Sequence, residues 1–166
     1  MTIIDDLKHR ARQLHRAAQA GEPDAVARMR ALPELKNEPS LETAVRRRHC
    51  LTVVARELGF ESWAHLAHVA EGGCRDFGTF LYPPGAPYWN IWSASYEEAR
   101  DIRREHGGYL LPYKEQFIIV DRHFVEALGL DPDDPDWERI GRDFVRPADT
   151  DARARLFEGR LAHMIA

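Results

Sequence analysis

Cysteine is scarce: Cys50 and Cys74 are the only two in 166 residues. A chain of this length buries a core without covalent staples, so both are expected as free thiols in a reducing compartment. No apolar run approaches the roughly 18 residues that a membrane-spanning helix needs. The opening stretch MTIIDDLKHR has no apolar core of the kind a secretory signal carries. A cytoplasmic location without membrane contact is the resulting expectation. Phosphate-cradling glycine loops are missing too, since neither G-x-G-x-x-G nor G-x-x-x-x-G-K occurs. The nucleophile elbow G-x-S-x-G is absent. His49 and Cys50 are adjacent, but neighbours on a helix point about 100° apart and make no dyad by adjacency. No cofactor is expected.

Charge of one sign is also lacking. Residues 1–75 carry 12 Lys and Arg against 10 Asp and Glu, and residues 76–166 carry 11 against 17. Neither half has the basic footprint of a nucleic-acid binder, and the triplet Arg46-Arg47-Arg48 reads as a solvated helix face. With 44% hydrophobic and 30% charged residues, the composition is that of a folded soluble chain and not of a disordered one.

The front of the chain is helical. Ile3, Ile4, Leu7, Ala11, Leu14 and Ala18 recur at helical spacing up to Gly21. Pro23 opens a second helix that Pro33 closes. Ser40 is expected to cap one long helix reaching Leu58, and Ser62 to cap another over residues 63–71, with Trp63, Leu66, Ala67 and Ala70 inward. Such helices with short links predict a small bundle of helical hairpins.

The stretch Ala55-Arg56-Glu57-Leu58-Gly59-Phe60-Glu61-Ser62-Trp63, followed by Leu66, resembles an A-R-E-x-G-F-x-S-W-x-x-L segment of bacterial ankyrin-repeat-like proteins. The earlier LHRAAQAGEPDAVARMRAL is similar to the helix, glycine turn, helix beginning of an ankyrin unit. The resemblance implies ankyrin-like helical hairpins at the front. YLLPYK and ALGLDPDDPDW resemble segments of uncharacterised bacterial proteins, which implies no activity.

Gly72-Gly73 marks the expected boundary between a helical part, residues 1–72, and an aromatic-rich part, residues 73–166. In the second part, residues 76–82 read as a first strand and residues 83–87 as a stiff Pro-rich loop. Residues 89–94 read as a further strand with an indole on each face. Ser95 with Glu98 forms a capping-box spacing for a helix over residues 96–106, whose inward stripe is Ala99, Ile102 and His106 and whose stop is Gly107-Gly108. Residues 109–112 and 115–120 read as a hairpin turning at Pro112-Tyr113-Lys114, and the apolar run Phe117-Ile118-Ile119-Val120 marks its second strand as central. Helices are expected from Arg122 to Leu128, from Pro135 to just before Pro147 with Trp137, Ile140 and Phe144 inward, and from Asp149 or Thr150 onward with Ala154, Leu156, Phe157, Leu161 and Ile165 docking. The fold class is therefore α+β: an N-terminal helical bundle, then a small antiparallel sheet of three or four strands with packed helices.

Candidate sites are few. The acidic run from Asp131 to Asp136 lacks a calcium loop's glycine at the sixth position and carries Arg142 where the twelfth needs a glutamate, so it reads as a turn into a helix. His65 and His68, with Cys50 and Cys74 elsewhere, have no diagnostic zinc spacing, and no metal is expected. Residues 51–70 can be drawn as a helix-turn-helix, yet the second helix offers His65, His68 and Glu71 and none of the side chains that read base edges, so nucleic acid is not an expected partner. His106 or His123, with Glu105 or Asp121, would supply an acid–base pair for a small metal-independent enzyme.

What stands out is the aromatic collection Phe80, Tyr82, Tyr88, Trp89, Trp92, Tyr109, Tyr113 and Phe117. Most are expected in the core, but polar-tipped rings favour sites with one end buried and the other wet. Asn90, Trp92, Tyr113, Lys114 and Gln116 are expected to form such a wall, facing a groove beside the Pro-rich loop. The leading expectation is thus a binding or interaction module for a small ligand or a protein partner, a second copy of the chain included. A small enzyme and a DNA-binding regulator acting through the helical hairpin are the alternatives.

Overall fold

The computed structural model describes residues 2–73, 76–85 and 89–166. Cys74 and the Ala86-Pro87-Tyr88 end of the Pro-rich stretch lie outside them. The fold is α+β, and its chain divides into two compact units, Met1–Ala67 and His68–Ala166.

The first unit is helical. In α1 (Ile3–Gln19) the Thr2 hydroxyl accepts from the Asp5 N–H at 3.2 Å, and Asp5 accepts in return from the Thr2 N–H at 3.1 Å. This reciprocal cap satisfies donors that a helix start leaves open. Leu7, Ala11, Leu14 and Ala18 form its buried stripe. Next come α2 (Pro23–Met29) and a single 3-10 turn, Pro33–Leu35.

The long helix expected from Ser40 to Leu58 is two helices, α3 (Leu41–Ala44) and α4 (Arg47–Glu57). Ser40 makes no side-chain cap. At the break Val45 is extended and buried, with φ −63° and ψ 135°. The Arg46 N–H donates to His49 Nδ1 at 3.0 Å, and His15 Nε2 lies 3.3 Å from the Val45 carbonyl oxygen. A valine in the core and a histidine acting as cap outweigh continuous helical propensity here. Cys50 on α4 is buried with its sulfur 3.9 Å from that of Met29, and burial pushes its thiol up to about 11. Wholly buried, it packs in the helical core. α5 (Trp63–Ala70) starts where the Ser62 hydroxyl accepts from the His65 N–H at 3.1 Å. Its fully buried residues are Leu66 and Val69, while Trp63, Ala67 and Ala70 are only half-buried.

The second unit is built on a three-stranded antiparallel sheet of β1 (Asn90–Ser93), β2 (Tyr109–Tyr113) and β3 (Gln116–Val120), in the order β1-β3-β2. β3 is central, as its apolar run predicts, and Ile118, Ile119 and Val120 are completely buried. Tyr113 pairs with Gln116, so the hairpin turns at Lys114-Glu115 and not at Pro112. Pro112, which has no N–H to give, is tolerated inside the outer strand β2. Lys114 takes the left-handed conformation with φ 49°.

Residues 76–82 are not a strand. Asp76 accepts from the Gly78 N–H at 2.7 Å, Gly78 has φ 54°, and two further turns bring Phe77, Phe80 and Leu81 into the core. An aspartate two residues before a glycine closes its own turn, and that local bond wins over the alternating pattern.

Between β1 and β2 runs α6 (Tyr96–His106), capped by the Ser95 hydroxyl on the Glu98 N–H at 3.3 Å. It lies on one face of the sheet, where Tyr96 and Ala99 pack with Leu110, Ile119 and Val145. Ile102 borders that cluster, whereas His106, expected inward, is exposed.

After β3 come α7 (Arg122–Ala127), α8 (Pro135–Arg139) and α9 (Thr150–Ile165). α8 stops well short of Pro147, because Gly141 and Arg142 both turn left-handed, with φ 69° and 52°. Asp143 then forms a parallel bridge with Leu110, carried by Leu110 N–H to Arg142 O at 2.8 Å and Phe144 N–H to Leu110 O at 2.9 Å. Trp137, Ile140 and Phe144 are buried nonetheless. On α9 Ala154 is exposed, and the buried face is Ala152, Leu156, Phe157, Arg160 and Leu161. The buried Arg160 guanidinium donates to the Phe80 and Leu128 carbonyls at 3.0 and 2.8 Å. Arg155 and Arg139 bind Asp136 and hold its carboxyl well below the usual carboxylate range.

Candidate functional site

Residues directly opposite one another in a sheet share a face, so register decides which side chains meet. Asn90 pairs with Val120, Trp92 with Ile118, and Gln116 with Tyr113. Asn90, Trp92, Tyr113 and Gln116 therefore lie on the sheet face opposite α6. Trp92 comes from β1 and Tyr113 from β2. Their rings reach over the central strand and touch edge to face, with centroids 5.0 Å apart. Tyr82 joins the group at 5.2 Å from Tyr113 and 6.0 Å from Trp92, and rests in turn on buried Phe124 at 5.5 Å.

This cluster is not sealed. Trp92 is 42% exposed and Trp89, just before β1, is 50% exposed, while Tyr82 and Tyr113 are half-buried. Lys114 holds its ammonium 5.8 Å from the Tyr113 ring centre, at the reach of a cation–aromatic contact. Rings only 5.0–6.0 Å apart pack against one another and leave no space for an ion between them. Among the described residues the cluster is consequently a platform and not an aromatic cage.

The α6 face of the same hairpin carries a separate groove of about 210 Å³. Its floor includes Tyr96, Phe117 and Val145. The Tyr96 hydroxyl donates to buried Asp143, whose other oxygen accepts from the Val145 and Arg146 N–H groups at 2.9 Å each. Burial first, and then that hydrogen bond, push the Tyr96 hydroxyl up to about 12. The Arg146 guanidinium lies 4.0 Å from the Tyr96 ring centre. Asp143 and Arg146 escape a reading by motif. The available signal is an acid set beside Phe144 and Val145, since a buried carboxylate needs donors.

The two histidines proposed as acid–base groups stand apart from both features. His106 ends α6 on the surface, and His123 is 71% exposed, with Nδ1 3.4 Å from a Glu126 oxygen. Asp121, the acid beside His123 in sequence, accepts from the Phe124 N–H at 3.0 Å and so caps α7. His65 accepts from the Glu61 N–H at 3.2 Å and packs edge-on against Phe60, while His68 is exposed. Among the described residues no three metal-ligating side chains converge. Within them no helix is long and apolar enough to cross a membrane. Comparison with protein-family models, with curated proteins and with solved structures finds no match.

Proposed function

We propose that the protein is a binding module whose aromatic sheet face recognises a peptide or small ligand bearing a planar or apolar group. The observation that carries this reading is the half-exposed Trp92, braced by Tyr113 and Tyr82 and flanked by Lys114. A large ring left in water while firmly supported from behind gives contact area at little cost in ordering, which is why Trp and Tyr dominate recognition surfaces. Asn90 and Gln116, on the same face, supply amides for orientation. The helical front, with its resemblance to ankyrin-type hairpins, serves in this reading as a scaffold.

A random peptide library selected on immobilised wild-type protein, with W92A protein as parallel bait, tests the reading. Enrichment of aromatic sequences on the wild type alone is expected. Equal enrichment on both baits, or none on the wild type, contradicts it.

A further inference from the structure

The groove on the α6 side of the hairpin has an apolar floor and a rim of both charges. Phe117, Val145 and the Tyr96 ring form the floor, Arg146 brings a cation, Asp76 and Glu115 bring carboxylates, and Lys114 lines the edge while its ammonium lies beside the Tyr113 ring. Several hydrogen bonds fix this rim. Gly78 ties two of its members together, since its N–H donates to Asp76 at 2.7 Å and its carbonyl accepts from the Lys114 N–H at 3.1 Å. Arg146 is anchored at both ends, its backbone N–H on Asp143 at 2.9 Å and its guanidinium over the Tyr96 ring. The Tyr96 hydroxyl is engaged by Asp143, so the residue offers the groove a ring and not a free donor.

Size restricts the occupant. A cavity of about 150 Å³ suffices for benzene, whereas drug-sized ligands occupy about 300 Å³ or more. At about 210 Å³ the groove takes one ring or one branched aliphatic group and little else. Opposite charges around so small an apolar floor match a molecule that carries both charges a few bonds from one apolar group.

We propose that this groove binds a free α-amino acid with a compact apolar side chain. Its carboxylate meets Arg146, its ammonium meets Asp76 and Glu115, and its side chain lies on Phe117 and Val145. The site lies on the sheet face opposite the aromatic platform, and Lys114, at the turn between them, keeps its ammonium beside the Tyr113 ring.

The test is an NMR titration of the isotope-labelled full chain with L-phenylalanine and L-leucine. Hydrocinnamate, which lacks the ammonium, and phenethylamine, which lacks the carboxylate, are the controls. Saturable shifts at the Phe117 and Val145 amides are expected with an amino acid, and each single-charge analogue should bind at least tenfold more weakly. Arg146→Gln should weaken the amino acid at least tenfold, and Glu115→Gln, on the exposed turn, should weaken it too and serves where the first variant fails to fold. Trp92→Ala should leave this binding unchanged, which separates it from the platform. Non-saturable shifts with both amino acids, an analogue that binds as tightly, or shifts confined to the Trp92 face would overturn the proposal.

Discussion

The Tyr96 hydroxyl donates to the Asp143 carboxylate across 47 positions of sequence, joining the first turn of α6 to the chain that follows α8. Both residues are buried, and the same carboxylate holds the Val145 and Arg146 N–H groups. One acid thus fixes the helix on the sheet and the strand-like segment beside β2.

Removing the hydroxyl with Tyr96→Phe leaves a buried carboxylate oxygen without its donor, a loss of about 1–3 kcal/mol in urea unfolding. The alkaline behaviour should change as well. The Tyr96 hydroxyl is raised from 10.0 to about 12 in the folded state, so its contribution is whole below pH 10 and disappears as pH climbs toward 12. Unfolding free energy measured across that window should fall for the wild type, and less for Tyr96→Phe.

His49 replaces helix continuity with a cap. Its Nδ1 accepts from the Arg46 N–H, and burial, followed by the nearby Arg48 charge, lowers its pKa below 6.5. The folded state therefore favours the neutral ring, and stability is expected to decline as pH drops below 6.5. His49→Ala should cost about 0.5–2 kcal/mol at neutral pH, as lost caps do. The variant should also lose that acid-side slope, which denaturation at a series of pH values measures.

Gly107 and Gly108 follow α6 with φ 80° and 89°, but their surroundings differ. A Cβ on Gly107 meets nothing within 4 Å, while one on Gly108 falls 2.6 Å from the Val120 carbonyl oxygen of the central strand. Gly107→Ala should cost about 1–3 kcal/mol from conformation alone. Gly108→Ala must also displace β3, and its thermal midpoint should lie clearly below that of Gly107→Ala. Equal midpoints would contradict this account of the turn.

These cases show what sequence makes legible. The central strand follows from Phe117-Ile118-Ile119-Val120, because a run without polar members needs cover on both faces. α6 follows from Ser95, Glu98 and the two glycines, all local signals. The break at Val45 depends on burial of one side chain and on His15 and His49 meeting the backbone, which no local pattern announces. At residues 76–82 Asp76 and Gly78 signal a turn, while the aromatic and apolar side chains of the same stretch fit a strand equally well. In the site, Asn90, Trp92, Tyr113 and Gln116 fall on one face because period-two alternation places them there. Tyr82 joins them, and Arg146 meets Tyr96, through tertiary packing alone.

Trp92 is proposed to recognise a partner and not only to complete the fold. The most direct test is the affinity of one library-selected peptide for the wild type and for Trp92→Ala, with unfolding measured on both proteins. The account predicts at least tenfold weaker binding, about 1.4 kcal/mol, at a stability within about 1 kcal/mol of the wild type. Equal affinity in a folded variant would contradict it.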